Sequence, residues 1–191
     1  MTGQSASAGD DLWVFGYGSL IWRPGFAYLD RVPARLVGAH RALCVFSHVH
    51  RGTPERPGLV LGLDRGGTCR GIAYRVAASA CEQTVAYLRE REQGTKVYRE
   101  GVRSVWLEGS ERQRVPAICY LVDRGHPQYA GRLSLDQQLH LVRQGHGRSG
   151  PNDEYVIETV RALEKLGYND RALHLLASRL GAARATHGRA N

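Results

Sequence analysis

The sequence is nearly without lysine. Of its 26 basic side chains only two, Lys96 and Lys165, are lysines, and the rest are arginines. They are scattered along the chain with no run of five or more, despite a formal net charge of +8. Basic tails that bind nucleic acid usually contain such runs, so no nucleic-acid partner is expected. The positive charge reads instead as an arginine-rich solvated surface that could attract a small anion. No stretch approaches the ~20 consecutive apolar residues of a membrane-spanning helix, so no membrane partner is expected either. Residues 1–10 have no basic stretch leading into an apolar one; no secretory leader is expected there, and the expected location is cytoplasmic. The four cysteines, Cys44, Cys69, Cys81 and Cys119, form no C-x-x-C pair, and no histidines fall at zinc-finger spacing. They read as reduced, buried, small hydrophobes.

Several phosphate-binding and nucleophile signatures are missing as well. Around Gly16-Tyr17-Gly18-Ser19 a dinucleotide fingerprint would need a third glycine where Ile21 stands, and no Gly-Lys-Ser/Thr follows to make a P-loop. A serine-hydrolase elbow would need glycines where Tyr17 and Ile21 stand. What remains is an apolar run, Leu12 to Phe15, entering an open G-x-G turn. Such a turn can offer several backbone N–H groups to an anion such as a carboxylate, or it can be a simple bend at a strand end.

With 191 residues and 42% hydrophobic content, the chain suits one domain, expected over 12–180 between loose tails at 1–11 and 181–191. Its first half reads as strands: 12–15, 34–47, 59–63 and 72–76, with Gly66-Gly67 marking a hairpin. Further strands are expected within 102–107 and 117–122. Ser79-Ala80-Cys81-Glu82 and Ser134-Leu135-Asp136-Gln137 are capping-box patterns. Asn152 reads as the N-cap of a helix ending at Gly167, and a last helix is expected over 171–180 with Gly181 as its stop. Strands first and helices later, without regular alternation, indicate an α+β fold.

On the helix entered at Ser79, residues 81, 85, 88 and 92 share one face. Three are apolar, Cys81, Val85 and Leu88; the fourth is Glu92. Either the helix frays and Glu92 faces water, or a carboxylate ends an apolar stripe. In the second case partial burial raises its pKa and makes it a proton acceptor near neutral pH. His48 and His50 have the spacing of a metal pair on a strand, but no third ligand is evident and no metal is expected. Trp13, Trp22 and Trp106 read as core.

Tyr17-Gly18-Ser19-Leu20-Ile21-Trp22 resembles the opening signature of the ChaC-type γ-glutamylcyclotransferases. The resemblance continues through Arg51-Gly52-Thr53-Pro54-Glu55-Arg56-Pro57-Gly58, Arg70-Gly71-Ile72-Ala73-Tyr74, Arg91-Glu92 and Gly150-Pro151-Asn152-Asp153-Glu154-Tyr155. These blocks run in order over nearly the whole chain. The resemblance implies a small mixed β-barrel flanked by helices. It also implies cyclisation of a γ-glutamyl group to 5-oxoproline, chiefly from glutathione with release of Cys-Gly, and no cofactor. By the family motif Glu92 is the catalytic base. Tyr17, Gly18, Ser19 and Leu20 hold the γ-glutamyl end, and Tyr155 belongs to the site. Arg51 is a candidate for the glycine carboxylate of glutathione, and Tyr98 for the pocket wall. The chain departs from the family just before Tyr98, where Lys96-Val97 stand in place of a small residue, often Gly. Other γ-glutamyl peptides or amines, or a non-catalytic regulatory or binding role, are the alternatives.

Overall fold

A computed structural model describes residues 11–93, 96–109 and 113–187. Five strands, β1 (Leu12–Gly16), β2 (Asp30–Ser47), β3 (Gly58–Val76), β4 (Tyr98–Leu107) and β5 (Arg114–Val122), close a barrel in the order β1-β3-β2-β4-β5. Most pairs are antiparallel, whereas β5 runs parallel to β1 at Val14↔Ile118 and to β3 at Leu63↔Leu121, so the barrel is mixed. The expected α+β class and mixed barrel are therefore found.

The long β2–β3 hairpin frames the molecule, pairing from Asp30↔Arg75 to Ser47↔Gly58. Here the Gly66-Gly67 expectation is corrected: the pair does not turn the chain between two strands but lies inside the continuous β3. Both glycines have positive φ, opposite Gly38, which does too, at a register shift between Val37 and Ala39. Residues without a Cβ let the strand bulge and bend around a small barrel at that point.

The interior is filled by Phe15, Leu36, Leu59, Leu63, Ile72, Tyr74 and Tyr120, all essentially buried. Among the described residues four helices flank it: α1 (Cys81–Gln93), α2 (Leu135–Gln144), α3 (Asn152–Lys165) and α4 (Arg171–His187). The Ser134 capping box forms as read: Gln137 N–H donates to Ser134 Oγ, and Ser134 N–H to Gln137 Oε1. At α1 a 3-10 turn, Ala78–Ala80, comes first instead. Asn152 is not the N-cap of α3, because that position is Pro151. Its buried amide is committed elsewhere, accepting from Leu59 N–H at 2.6 Å and donating to Leu59 O at 2.8 Å, which fastens α3 to β3. Gly167 ends α3 with φ +69°, whereas α4 passes through Gly181 to His187. The expected N-terminal tail lies almost wholly outside the described residues.

Candidate active site

A cavity of about 530 Å³ opens between the end of β1, the 3-10 turn Ser19–Ile21, the C-terminal turn of α1 and the loop after β2. Every residue singled out from the sequence lines it: Tyr17, Gly18, Ser19, Leu20, Arg51, Glu92, Tyr98 and Tyr155.

The turn forms because β1 ends at Gly16 and the chain folds back on itself. The first amide bonded within the turn is that of Ile21, which donates to Gly18 O at 2.9 Å. The N–H groups of Gly18, Ser19 and Leu20 therefore stand ahead of the first intra-turn bond, as the opening amides of a helical turn do. Tyr74 ties the turn down from β3, its hydroxyl donating to Leu20 O at 2.8 Å.

Glu92 lies at the end of the α1 stripe as the helical phase predicts, with Leu88 fully buried one turn before it. Its side chain is 16% exposed, and its ion-pair partner is Arg91 Nε at 3.4 Å. Burial raises the Glu92 pKa above the ordinary carboxylate value, and the adjacent Arg91 opposes this only in part. Arg91 is largely occupied elsewhere. Its Nη1 donates to Arg23 O at 2.7 Å and to the Tyr87 hydroxyl at 2.8 Å, and its Nη2 donates to Ser19 Oγ at 2.9 Å. Arg91 thus clamps α1 onto the turn and sets Glu92 beside it, a role its place next to Glu92 did not reveal.

The far wall is a cluster of tyrosines. Tyr98 donates to Leu61 O at 2.8 Å, and Tyr155 accepts from Leu61 N–H at 3.1 Å, so the two hydroxyls grip one residue of β3. Tyr17 donates to Tyr120 O at 3.1 Å. Burial pushes the Tyr155 hydroxyl up to about 12, and raises Tyr17 and Tyr98 strongly as well. All three are neutral hydrogen-bonding groups at physiological pH. The Lys96 departure falls at φ +58°, the sole positive φ of a non-glycine residue among the described residues. This is a backbone conformation that a glycine would adopt without cost.

Arg51 enters from the loop after β2. Its Nη1 donates to Pro151 O at 2.9 Å, and its guanidinium lies 5.6 Å from the Tyr155 ring centre. The loop is held by close backbone contact: a Cβ at either Gly58 or Gly145 would collide with the Arg51 carbonyl. His48 and His50 also line the cavity, but β2 ends at Ser47, so they lie on this loop and not on a strand face. His48 stacks on Phe46, and His50 Nδ1 is 3.0 Å from Ser149 Oγ. Burial, and then Arg148, Arg51 and Arg91, lower the His50 pKa and keep it neutral. Among the described residues no group of three or more His, Cys, Asp or Glu side chains assembles as a metal site. Trp22 lines the cavity as well, 6.0 Å ring to ring from Tyr155, so it is wall rather than core alone.

A carboxylate with little to neutralise it, lining the same tyrosine-walled cavity as a turn whose first amides make no bond within it, is the architecture of an enzyme for a small polar molecule. The model of the ChaC-like protein family matches residues 12–182, and the chain belongs to that family. It is 34% identical over 165 residues to the glutathione-specific γ-glutamylcyclotransferase of Escherichia coli (strain K12), covering 85% of this chain and 70% of that protein. It is 31% identical to the Schizosaccharomyces pombe protein of the same name, covering 86% and 88% of the two chains. Among solved structures, the yeast γ-glutamyl cyclotransferase specific to glutathione superposes with a TM-score of 0.84, covering 91% of this chain and 97% of the other, at 23% identity.

Proposed function

We propose that this chain is a γ-glutamylcyclotransferase acting on glutathione, with Glu92 as its general base and acid. The observation that carries the reading is the under-bonded, raised-pKa carboxylate of Glu92 in the same cavity as the open amides of the Gly18–Leu20 turn. The names of the relatives at 30% identity or more point the same way.

The chemistry needs no external nucleophile. The α-amine of the γ-glutamyl group attacks its own γ-carbonyl, forming one C–N bond and closing a five-membered lactam. The C–N bond to cysteine then breaks, releasing 5-oxoproline and Cys-Gly. At neutral pH the amine is mostly ammonium and must lose a proton first. Glu92 accepts that proton, the attacking nitrogen gives up a second one as the ring closes, and both end on the departing amine, which leaves as the ammonium of Cys-Gly, so protons balance without water being consumed. An acid with an ordinary low pKa would be a weak acceptor, so the burial that costs Glu92 stability fits it to the task. The glutamyl chain must also be folded so that amine and carbonyl meet, which is positioning work. The amides of Gly18, Ser19 and Leu20 suit the α-carboxylate or the developing oxyanion. Tyr98 and Tyr155 provide neutral walls, and Arg51 faces the glycine carboxylate. Glutathione is a net anion at neutral pH, which suits an arginine-rich surface. The setting we infer is the cytoplasm, where thiols stay reduced; all four cysteines of this chain are free. A small molecule is the partner, with neither nucleic acid nor membrane involved.

The test is to incubate purified protein with glutathione and, separately, with γ-Glu-Ala, and to follow 5-oxoproline together with the released amine. Equimolar 5-oxoproline and Cys-Gly, with γ-Glu-Ala a poorer substrate, is the expected result. Preference for γ-Glu-Ala would move the substrate assignment, and no product from either would defeat the reading.

A further inference from the structure

Arg41, on β2, is a charged side chain with only 6% exposure, and it does not line the cavity. Its Nε donates to Tyr17 O at 2.6 Å, its Nη2 to Arg70 O at 2.5 Å, and its Nη1 faces Asp170 Oδ2 at 3.3 Å. Asp170 opens α4: its Oδ1 accepts from Leu173 N–H at 3.2 Å and its carbonyl from His174 N–H at 2.9 Å. A buried guanidinium is costly unless its N–H groups find partners, and this one has two carbonyls and a carboxylate. None of these groups takes part in the proton transfers described above.

The choice of carbonyls is informative. Tyr17 O belongs to the peptide that joins Tyr17 to Gly18. Because a trans peptide is planar, fixing its carbonyl also fixes the N–H of Gly18, which points the opposite way. That N–H is the first of the open amides at the cavity. Gly18 has no side chain to steer its own backbone, so the orientation has to come from outside. A charge-assisted bond on the carbonyl also polarises the peptide and strengthens its N–H as a donor. The second carbonyl, that of Arg70, precedes Gly71, and a Cβ on Gly71 would collide with Gly16 O. The guanidinium therefore ties Tyr17, where the chain leaves β1, to β3 beside it. Its charge is also felt inside the site, where it acts to lower the Tyr155 pKa against the larger effect of burial.

We propose that Arg41, held by Asp170 at the head of α4, is a positioning residue. It fixes the Tyr17–Gly18 peptide so that Gly18 N–H is presented to an anionic oxygen of the γ-glutamyl substrate. The proposal rests on the cyclotransferase reading above.

Tyr17-Gly18 is the sole Tyr-Gly step in the sequence. Protein labelled with 13C at tyrosine carbonyls and 15N at glycine therefore gives one carbonyl–amide correlation by NMR, from this peptide alone. In Arg41→Lys the expected result is a displaced peak and a fall in kcat/KM for glutathione of ~10-fold or more, the scale of losing an orienting partner. Arg41→Met falls further in the same direction. Asp170→Asn, which keeps a good helix cap, falls less. Circular dichroism establishes that each variant is folded, and if Arg41→Met does not fold, the lysine and asparagine variants decide. A folded Arg41→Lys protein with an unmoved peak, or with kcat/KM within about twofold of wild type, overturns the proposal. A wild-type protein that turns over no γ-glutamyl compound overturns the cyclotransferase reading instead. The peak, by moving or staying, then still reports whether Arg41 fixes the peptide.

Discussion

Asp64 and Glu92 are both largely withdrawn from water, and they are treated in opposite ways. Asp64, on β3, receives Arg124 Nε at 2.6 Å and Arg65 N–H at 2.8 Å on one oxygen, and the Tyr129 hydroxyl at 2.8 Å on the other. Burial alone would raise its pKa, but these three bonds outweigh burial and hold it below the usual carboxylate range. Glu92 is similarly buried, yet among the described residues no group donates it a hydrogen bond, and Arg91 stands off at 3.4 Å. Its pKa goes up. Burial is common to both sites, so what separates the acid whose pKa is lowered from the one whose pKa is raised is how completely its lone pairs are used. The unsatisfied one is the one that lines the cavity.

The comparison is broken most directly by removing each carboxylate in turn. Glu92→Gln keeps shape and removes the proposed base, so turnover of glutathione should fall by roughly 10²–10⁴-fold while the protein remains folded. An active Glu92→Gln protein would dissolve the distinction. Asp64→Asn should do the reverse: denaturant melts should show a loss of about 2 kcal/mol, because hydrogen bonds to a charged group are weakened, with kcat/KM changed little.

Stability against pH sharpens the same contrast. Glu92 has a higher pKa folded than unfolded, so its ionisation opposes folding. Its contribution is most favourable below the unfolded pKa and is lost as pH rises through the raised folded value. Glu92→Gln should therefore be more stable than wild type at neutral pH, by about 1.4 kcal/mol for each unit of displacement, and the gap should close below about pH 4. Asp64 is the mirror case: its stabilising contribution is present above the unfolded pKa and is lost on acidification through the lowered folded value.

A smaller effect is expected at Gly18→Ala. The added Cβ would sit 3.4 Å from the Tyr155 hydroxyl and 3.6 Å from a Leu61 methyl, which is ordinary contact, so folding should persist. Its methyl enters the cavity beside the open amides, and KM for glutathione should rise by roughly threefold to tenfold, seen as a KM change larger than any change in melting temperature. The smallest effect belongs to Lys96→Gly, which relieves a left-handed residue but loosens the unfolded chain. A net gain of about 0.5 kcal/mol in denaturant melts is expected.

Much of the site was legible in the sequence because two kinds of signal met there. Helical phase placed Glu92 at the end of the Cys81–Val85–Leu88 stripe, and the family motif placed it again. The G-x-G turn showed itself as an unobstructed stretch of backbone at the end of an apolar run. Other features were hidden because they depend on partners remote in the chain. Arg41 and Asp170 are 129 residues apart, and nothing local marks Arg41 as buried. Asn152 follows a proline and precedes two acids, the pattern of a helix cap, but tertiary contact with Leu59 claims its amide. Gly66-Gly67 reads as a turn by local chemistry, and only the pairing of β2 with β3 shows that it is a bulge.

The central claim, that the uncompensated carboxylate of Glu92 is the proton acceptor, is tested most directly by the pH dependence of kcat/KM for glutathione with the wild-type protein. That profile reports the ionisations of the free enzyme. The account predicts an acid limb with a single apparent pKa clearly above the ordinary glutamate value of 4.5. Activity that continues undiminished to pH values below that ordinary value would contradict it.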